Sequence, residues 1–215
     1  GALASIELNL RTHDKPADMT RELMKAVIGD FVSAAYRCKI AGMDMVMIHG
    51  GHGHLIGNFF SPHYNLRTDE YGTQSLENRS RFAAELLDAV RQKIGGEMAI
   101  EYRISADELH DQGVRVAESL EFAKIIEDKI DLIHVSAGDL HQPATIPYMI
   151  QPFYLPRGVN VHFAEMFKKE LKIPVVTVGS LNMEMAEQII AQGKADMVAM
   201  IRAFIAEPDL VNKAR

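Results

Sequence analysis

The stretch HGGHGHLIGNFFSPHYN, residues 49–65, sets His49, His52 and His54 within six positions, laced with Gly50, Gly51 and Gly53. Three readings fit. Convergent imidazoles could hold a metal ion. Two imidazole N–H groups could donate to a carbonyl oxygen and polarise an electron-poor alkene, as an oxyanion hole does. Side-chain hydrogen bonds that merely knit the loop together are the third. No nearby carboxylate completes a recognised metal pattern, and the local residues leave the three readings level.

Other residues could do chemistry with them. Gly179 and Ser180 lie in PVVTVGSLN, and about twenty residues later Ile201-Arg202 opens a short helix. Two such loops and a helix start make a phosphate site in barrel enzymes, and Arg202 would add a charge-assisted bond. An ordinary turn beside a surface arginine is the alternative. Arg103 lies inside the strand EYRIS, where a charge is costly unless paired or facing a ligand; Glu101 and Asp107 are the candidate ion-pair partners. His141, in SAGDLHQP, suits proton donation near neutral pH or is a solvated loop residue.

The elements that must position these residues alternate. Strands are expected at 3–9, 44–49, 98–105, 130–136, 173–179 and 195–201. Helices follow from Thr20, with Leu23, Val27, Phe31, Ala34, Cys38 and Ala41 stepping by three or four residues, and then near 77–94, 115–129, 161–172, 183–193 and 202–206. The loop 50–76 is too rich in Gly, Pro, Asn and His to read as core, and its length marks it as functional. Near-continuously apolar strands indicate a parallel sheet covered by helices. The polar residues gather after strand ends, the active face of a (β/α)8 barrel. A doubly wound sheet would show such loops too, and the strand count alone favours it.

Composition narrows the class. The chain has 215 residues, 47% hydrophobic and 24% charged, with net charge −6 and no basic block. Nucleic acid is therefore not an expected partner, and no apolar run reaches the roughly 18 residues of a membrane span. Cys38 is the one cysteine, so neither an internal disulfide nor an iron–sulfur cluster can be built from this sequence. No signal-like leader is read at the start, and a reducing, cytoplasmic setting is expected. Residues 1–215 read as one domain.

HGGHGHLIGNFFSP, RTDEYG and SLENR, then EYRIS, VSAG with a loop histidine, PVVTVGSLN and ADMVAMIRAFIAEPDL, stand in the order of a known family. The chain resembles the old yellow enzymes, FMN-dependent ene-reductases. It looks closest to the dienoyl-CoA reductase and 2-enoate reductase branch, which includes bile-acid-modifying enzymes. The resemblance implies a (β/α)8 barrel with FMN at its C-terminal face and NAD(P)H as reductant. It implies reduction of an α,β-unsaturated carbonyl compound, a small-molecule partner; self-association into a homo-oligomer stays open. An iron–sulfur cluster and FAD would belong only to a longer parent chain.

By position, the resemblance gives His49 and His52 the substrate carbonyl, and His141 a proton-donor role. His54 falls where the family commonly has a tyrosine donor. Arg103 would meet the flavin's pyrimidine and N1 edge, and Glu7 the same ring. Gly179, Ser180, Ile201 and Arg202 would form the phosphate clamp.

The chain also differs from that pattern. LASIELN looks like the third barrel strand, so strands three to eight are represented. RTHDKPAD is short for its place. YGTQSLENR is one residue longer than the family's form, and Ile201 stands where Gly or Ala is usual. A metal-dependent barrel hydrolase built on His49, His52 and His54, and a non-catalytic barrel fragment, are the competing readings.

Overall fold

In a computed structural model, residues 15–214 are described in full, together with the backbone of Ser5–Leu8. Strands and helices alternate along it: β1 (Ser5–Leu8), α1 (Arg21–Ile40), β2 (Met45–His49), α2 (Leu55–Phe60), α3 (Leu76–Ile94), β3 (Ala99–Ser105), α4 (Val116–Ile126), β4 (Leu132–Ser136), α5 (Ile146–Met149), α6 (Val161–Glu170), β5 (Val175–Val178), α7 (Met183–Ala191), β6 (Met197–Ala199), α8 (Ile201–Ala206) and α9 (Leu210–Lys213). Helix starts follow local chemistry. The Thr20 hydroxyl accepts from Leu23 N at 3.1 Å, Ser75 from Asn78 N at 3.1 Å, and Asn182 Oδ1 from Met185 N at 2.9 Å. Each cap satisfies an N–H that has no partner within its helix.

The strands lie in the order β1-β2-β3-β4-β5-β6, and every pairing is parallel. A doubly wound sheet reverses its strand order at a switch point. This sheet never reverses, so it winds in one direction, as a barrel wall does. Strand order thus overrules the count-based preference for a doubly wound sheet.

The two faces of the sheet differ in character. Ile48, Ile100, Tyr102, Ile133, Val135 and Val175 pack with the helices in the main core. Side chains alternate along a strand, so the residues between them face the other side. There Met45, Leu132 and Val176 form a small apolar cluster with Ala99 and Ala199. One row further toward the strand ends the same face turns polar. His49, Arg103 and His134 are register neighbours across β2, β3 and β4, and Ser105 stands opposite Ser136. His134 Nδ1 lies 2.9 Å from Glu101 Oε1, and both side chains are buried.

Two local expectations change. The buried spine of α1 is Met24, Val27, Phe31 and Ala35, while Leu23, Ala34 and Cys38 lie on its flank. The apolar stripe is broad enough to allow either register, and packing against α3 selects this one. The first half of the loop 50–76 is core, contrary to its composition: it contains α2, all six residues of which are buried. Phe59 stacks on Phe82 of α3 at 4.1 Å between ring centroids. The glycines and histidines before α2 face β3 and the loop after β4 rather than water.

Candidate active site

The site begins where β2 stops. A Cβ on Gly50 would sit 1.9 Å from Tyr102 Oη, and one on Gly51 would sit 2.6 Å from Ser105 N. The loop backbone therefore runs directly over the end of β3, with room for hydrogen only. Gly53 takes a φ of 75°, and a Cβ there would meet Asp139 Oδ1 at 2.4 Å. This tight path turns the three histidines back across the strand ends.

His49 and His52 are both buried. His49 Nε2 lies 3.0 Å from His52 Nδ1, and His52 Nε2 lies 2.8 Å from Ser136 Oγ. The Ser105 hydroxyl accepts from His52 N at 2.9 Å and donates to Gly138 O at 2.8 Å. His52 has a φ of 57°, a left-handed conformation that costs a non-glycine residue roughly 1–2 kcal/mol. Burial, then the positive charge of Arg103, drives the His52 pKa well below its ordinary value, so its imidazole is neutral near pH 7. His54 is the N-cap residue of α2, and its ring centroid lies 4.3 Å from that of His49. Among the described residues, no group of three His, Cys, Asp or Glu side chains converges to hold a metal ion.

A second cluster adjoins the first, and its centre, Asp139, escapes a motif-based reading. Asp139 is fully buried. Its carboxylate accepts from the Tyr64 hydroxyl at 2.5 Å and from His141 N at 2.9 Å. His141 Nε2 in turn donates to Gly53 O at 3.1 Å. His110 Nε2 lies 3.5 Å from Asp139 Oδ2 and 3.7 Å from Glu108 Oε2. The loop after β2 is thus hydrogen-bonded to a buried carboxylate in the loop after β4, and His110 of the loop after β3 approaches it. The only sequence cue was an acidic residue beside glycine in SAGDLH.

Glu108 accepts from the Ser61 hydroxyl and from Val114 N, both at 2.8 Å. Burial still pushes its carboxyl from 4.5 up to about 7. From about pH 4.5 to about pH 7 the folded chain keeps a proton that the unfolded chain has released. The associated stability is complete below that window and lost as pH rises through it. Glu108→Gln keeps an acceptor and is expected to flatten this dependence. At about pH 8 the variant should exceed the parent by about 3 kcal/mol, with little difference at about pH 4. Urea midpoints at the two pH values measure it; parallel profiles for the two proteins would refute it.

The remaining candidates line a cavity of about 600 Å³, within the usual range for small-molecule sites. Arg103, Gly179, Ser180, Ile201 and Arg202 all contribute to it, together with Arg157 and Gln151. Gly179 has a φ of 139° and Ser180 of 50°, a bend that turns the backbone after β5. Arg202 Nη1 donates to Gln151 O at 2.9 Å, and Arg157 Nη1 to Ser180 O at 3.3 Å. Ile201 is 75% exposed at the cavity rim. The side chain of Glu7 lies outside the described residues.

The arginines of RTDEYG and SLENR are structural. Arg67 grips Asp69 through two nitrogens and donates to Pro16 O and Met19 O, both at 2.7 Å. Arg79 pairs with Glu118 and stands 4.8 Å over the Phe60 ring, fastening α2, α3 and α4 together.

A singly wound parallel sheet thus places an arginine-lined cavity and a buried histidine pair at its strand ends. The chain belongs to the NADH:flavin oxidoreductase / NADH oxidase family, whose model matches residues 3–215. NADH oxidase of Thermoanaerobacter brockii is 39% identical over 203 residues, covering 94% of this chain and 31% of that protein. The 2-naphthoyl-CoA reductase complex with 2-naphthoyl-CoA superposes with a TM-score of 0.84 at 29% identity, over 96% of this chain and 32% of that one. The old yellow enzyme homologue of Zymomonas mobilis gives 0.72 at 26% identity, over 91% and 53%. The fold is thus part of an old yellow enzyme barrel, and the chain spans from about a third to about half of these relatives. No helix among the described residues is long and apolar enough to cross a membrane.

Proposed function

We propose that this chain is the FMN-binding barrel portion of an enzyme that reduces the C=C bond of an α,β-unsaturated carbonyl compound, an enoate or enoyl thioester, with NAD(P)H as reductant. FMN, when bound, supplies the hydride chemistry. The observation that carries the reading is the buried His49–His52 pair in register with Arg103 at the strand ends. A neutral, preorganised imidazole N–H is suited to a carbonyl oxygen that gains negative charge during reaction. His54, packed on His49, and His141, across Gly53, flank this pair and are the candidates for delivering the proton.

The cavity suits a phosphorylated planar cofactor. At Gly179 a Cβ would come within 3.0 Å of Gln151 Oε1, so the bend before Ser180 is kept narrow. Gly179, Ser180 and Arg202 would hold the phosphate, and Arg103 the ring edge. The naphthoyl-CoA relative is a reductase acting on an acyl thioester, which agrees with this substrate class.

Reconstitution with FMN, followed by flavin absorbance and then NADH-dependent reduction of an enoate, tests the proposal. Arg202→Ala is expected to raise the FMN dissociation constant at least about 10-fold, the weight of one charge-assisted bond. A folded chain that takes up no flavin would sink the reading.

A further inference from the structure

We infer that Ser136 sets the direction of the hydrogen-bond chain through His52 to His49, and is a positioning residue for carbonyl recognition. The inference rests on the ene-reductase reading for its purpose and on geometry for its substance.

Ser136 is fully buried at the end of β4. Its Oγ lies 2.8 Å from His52 Nε2, its one hydrogen-bond partner among the described residues. A hydroxyl can donate or accept, but a buried O–H that donates to nothing loses a hydrogen bond outright. Ser136 therefore donates, and His52 Nε2 accepts. A neutral imidazole has one N–H, so the hydrogen of His52 is on Nδ1. That atom lies 3.0 Å from His49 Nε2, which must accept in turn. If His49 is neutral, its own hydrogen is then on Nδ1. In this arrangement the Ser136 hydroxyl and the His52 Nδ1–H each have an acceptor.

Ser105, the register partner of Ser136, holds the other side of His52. Its hydroxyl accepts from the His52 N–H and donates to Gly138 O, so its own direction is fixed as well. The two serines grip one residue at two points, the backbone through Ser105 and the ring through Ser136. This fits the left-handed φ of 57° at His52, which the surroundings must hold in place. With both ring nitrogens engaged, His52 bears on carbonyl recognition through His49.

The test is ¹⁵N NMR of histidine-labelled chain, with His52 assigned by its loss in His52→Gln. The parent is expected to show His52 as the Nδ1–H tautomer. Ser136→Ala should shift it toward Nε2–H, and Ser136→Thr, which keeps the donor, should hold it. In the FMN-loaded chain, Ser136→Ala should lower kcat/KM for the alkene about 10-fold and leave the FMN dissociation constant unchanged. His52 found as Nε2–H in the parent, or unchanged in Ser136→Ala, would overturn the inference. The tautomer is read without turnover. Failure of the ene-reductase reading would show separately, as absence of alkene reduction by the parent.

Discussion

His49→Ala is expected to slow alkene reduction by about 100- to 1,000-fold and to leave FMN bound, the cost of removing one preorganised donor from a site of this kind. Three features make the effect large. His49 is the last residue of β2, so its Cα is fixed by the sheet. Its ring is buried at 5% exposure and packed between those of His52 and His54. No other side chain of the 49–54 loop can reach the same point, because its other members are glycines and two histidines already placed. The cavity proposed for flavin is lined by other residues, so flavin affinity should hold. Rapid mixing of reduced enzyme with alkene, followed by flavin absorbance, gives the rate directly. Loss of flavin from His49→Ala, or an unchanged rate, would reverse the roles assigned to His49 and Arg202.

Gly50→Ala should damage the fold itself. The new methyl would lie 1.9 Å from Tyr102 Oη and 2.0 Å from its Cζ. Tyr102 has nowhere to go: it is fully buried and its ring lies 5.7 Å from that of Phe122. Overpacking a filled core costs roughly 1–3 kcal/mol, and here a rigid ring faces a backbone pinned by Gly50 N donating to Arg103 O at 2.8 Å. A loss above about 3 kcal/mol is expected, seen as insoluble protein or a large fall in the urea midpoint. Tyr102→Phe is the informative contrast. Its Oη is buried with no hydrogen-bond partner among the described residues. Removing that hydroxyl should be neutral or stabilising. A Gly50→Ala protein with an unchanged midpoint would refute the close packing of this loop on β3.

Fold class was readable because strand and helix periods are strong local signals. Phe82, Leu86, Val90 and Ile94 mark the buried face of α3 at helical spacing, and all four are fully buried. The winding of the sheet was not readable from the same patterns, because strand order depends on which strands pair, not on what each strand contains. The burial of the 50–61 segment was also hidden. Composition marks it as loop, yet its glycines are there to let the backbone approach β3, a reason only the neighbouring Tyr102 and Ser105 reveal. Among site residues, His49, His52 and His54 stood out because histidines rarely cluster. Ser136, Ser105 and Asp139 carry no such signal. They are common residue types that become specific only through what lies opposite them. Arg67 and Arg79 show the reverse case, since prominent motif residues turned out to brace helices and loops.

The nearest-neighbour order of the sheet has a consequence for how the chain reaches its structure. Each strand from β2 to β6 pairs with the strand that precedes it. Within β1–β6, every added strand and helix can therefore dock on a unit that already exists, and none of these six strands has to wait for a distant later one. Loop-closure entropy is met in small steps, a topology that favours fast folding. Such a chain can assemble in the direction in which it is synthesised, β1 side first. The strand-end sites would mature in the same order: the histidine loop has its β3 support before Ser136 arrives with β4, and the cavity proposed for phosphate forms last.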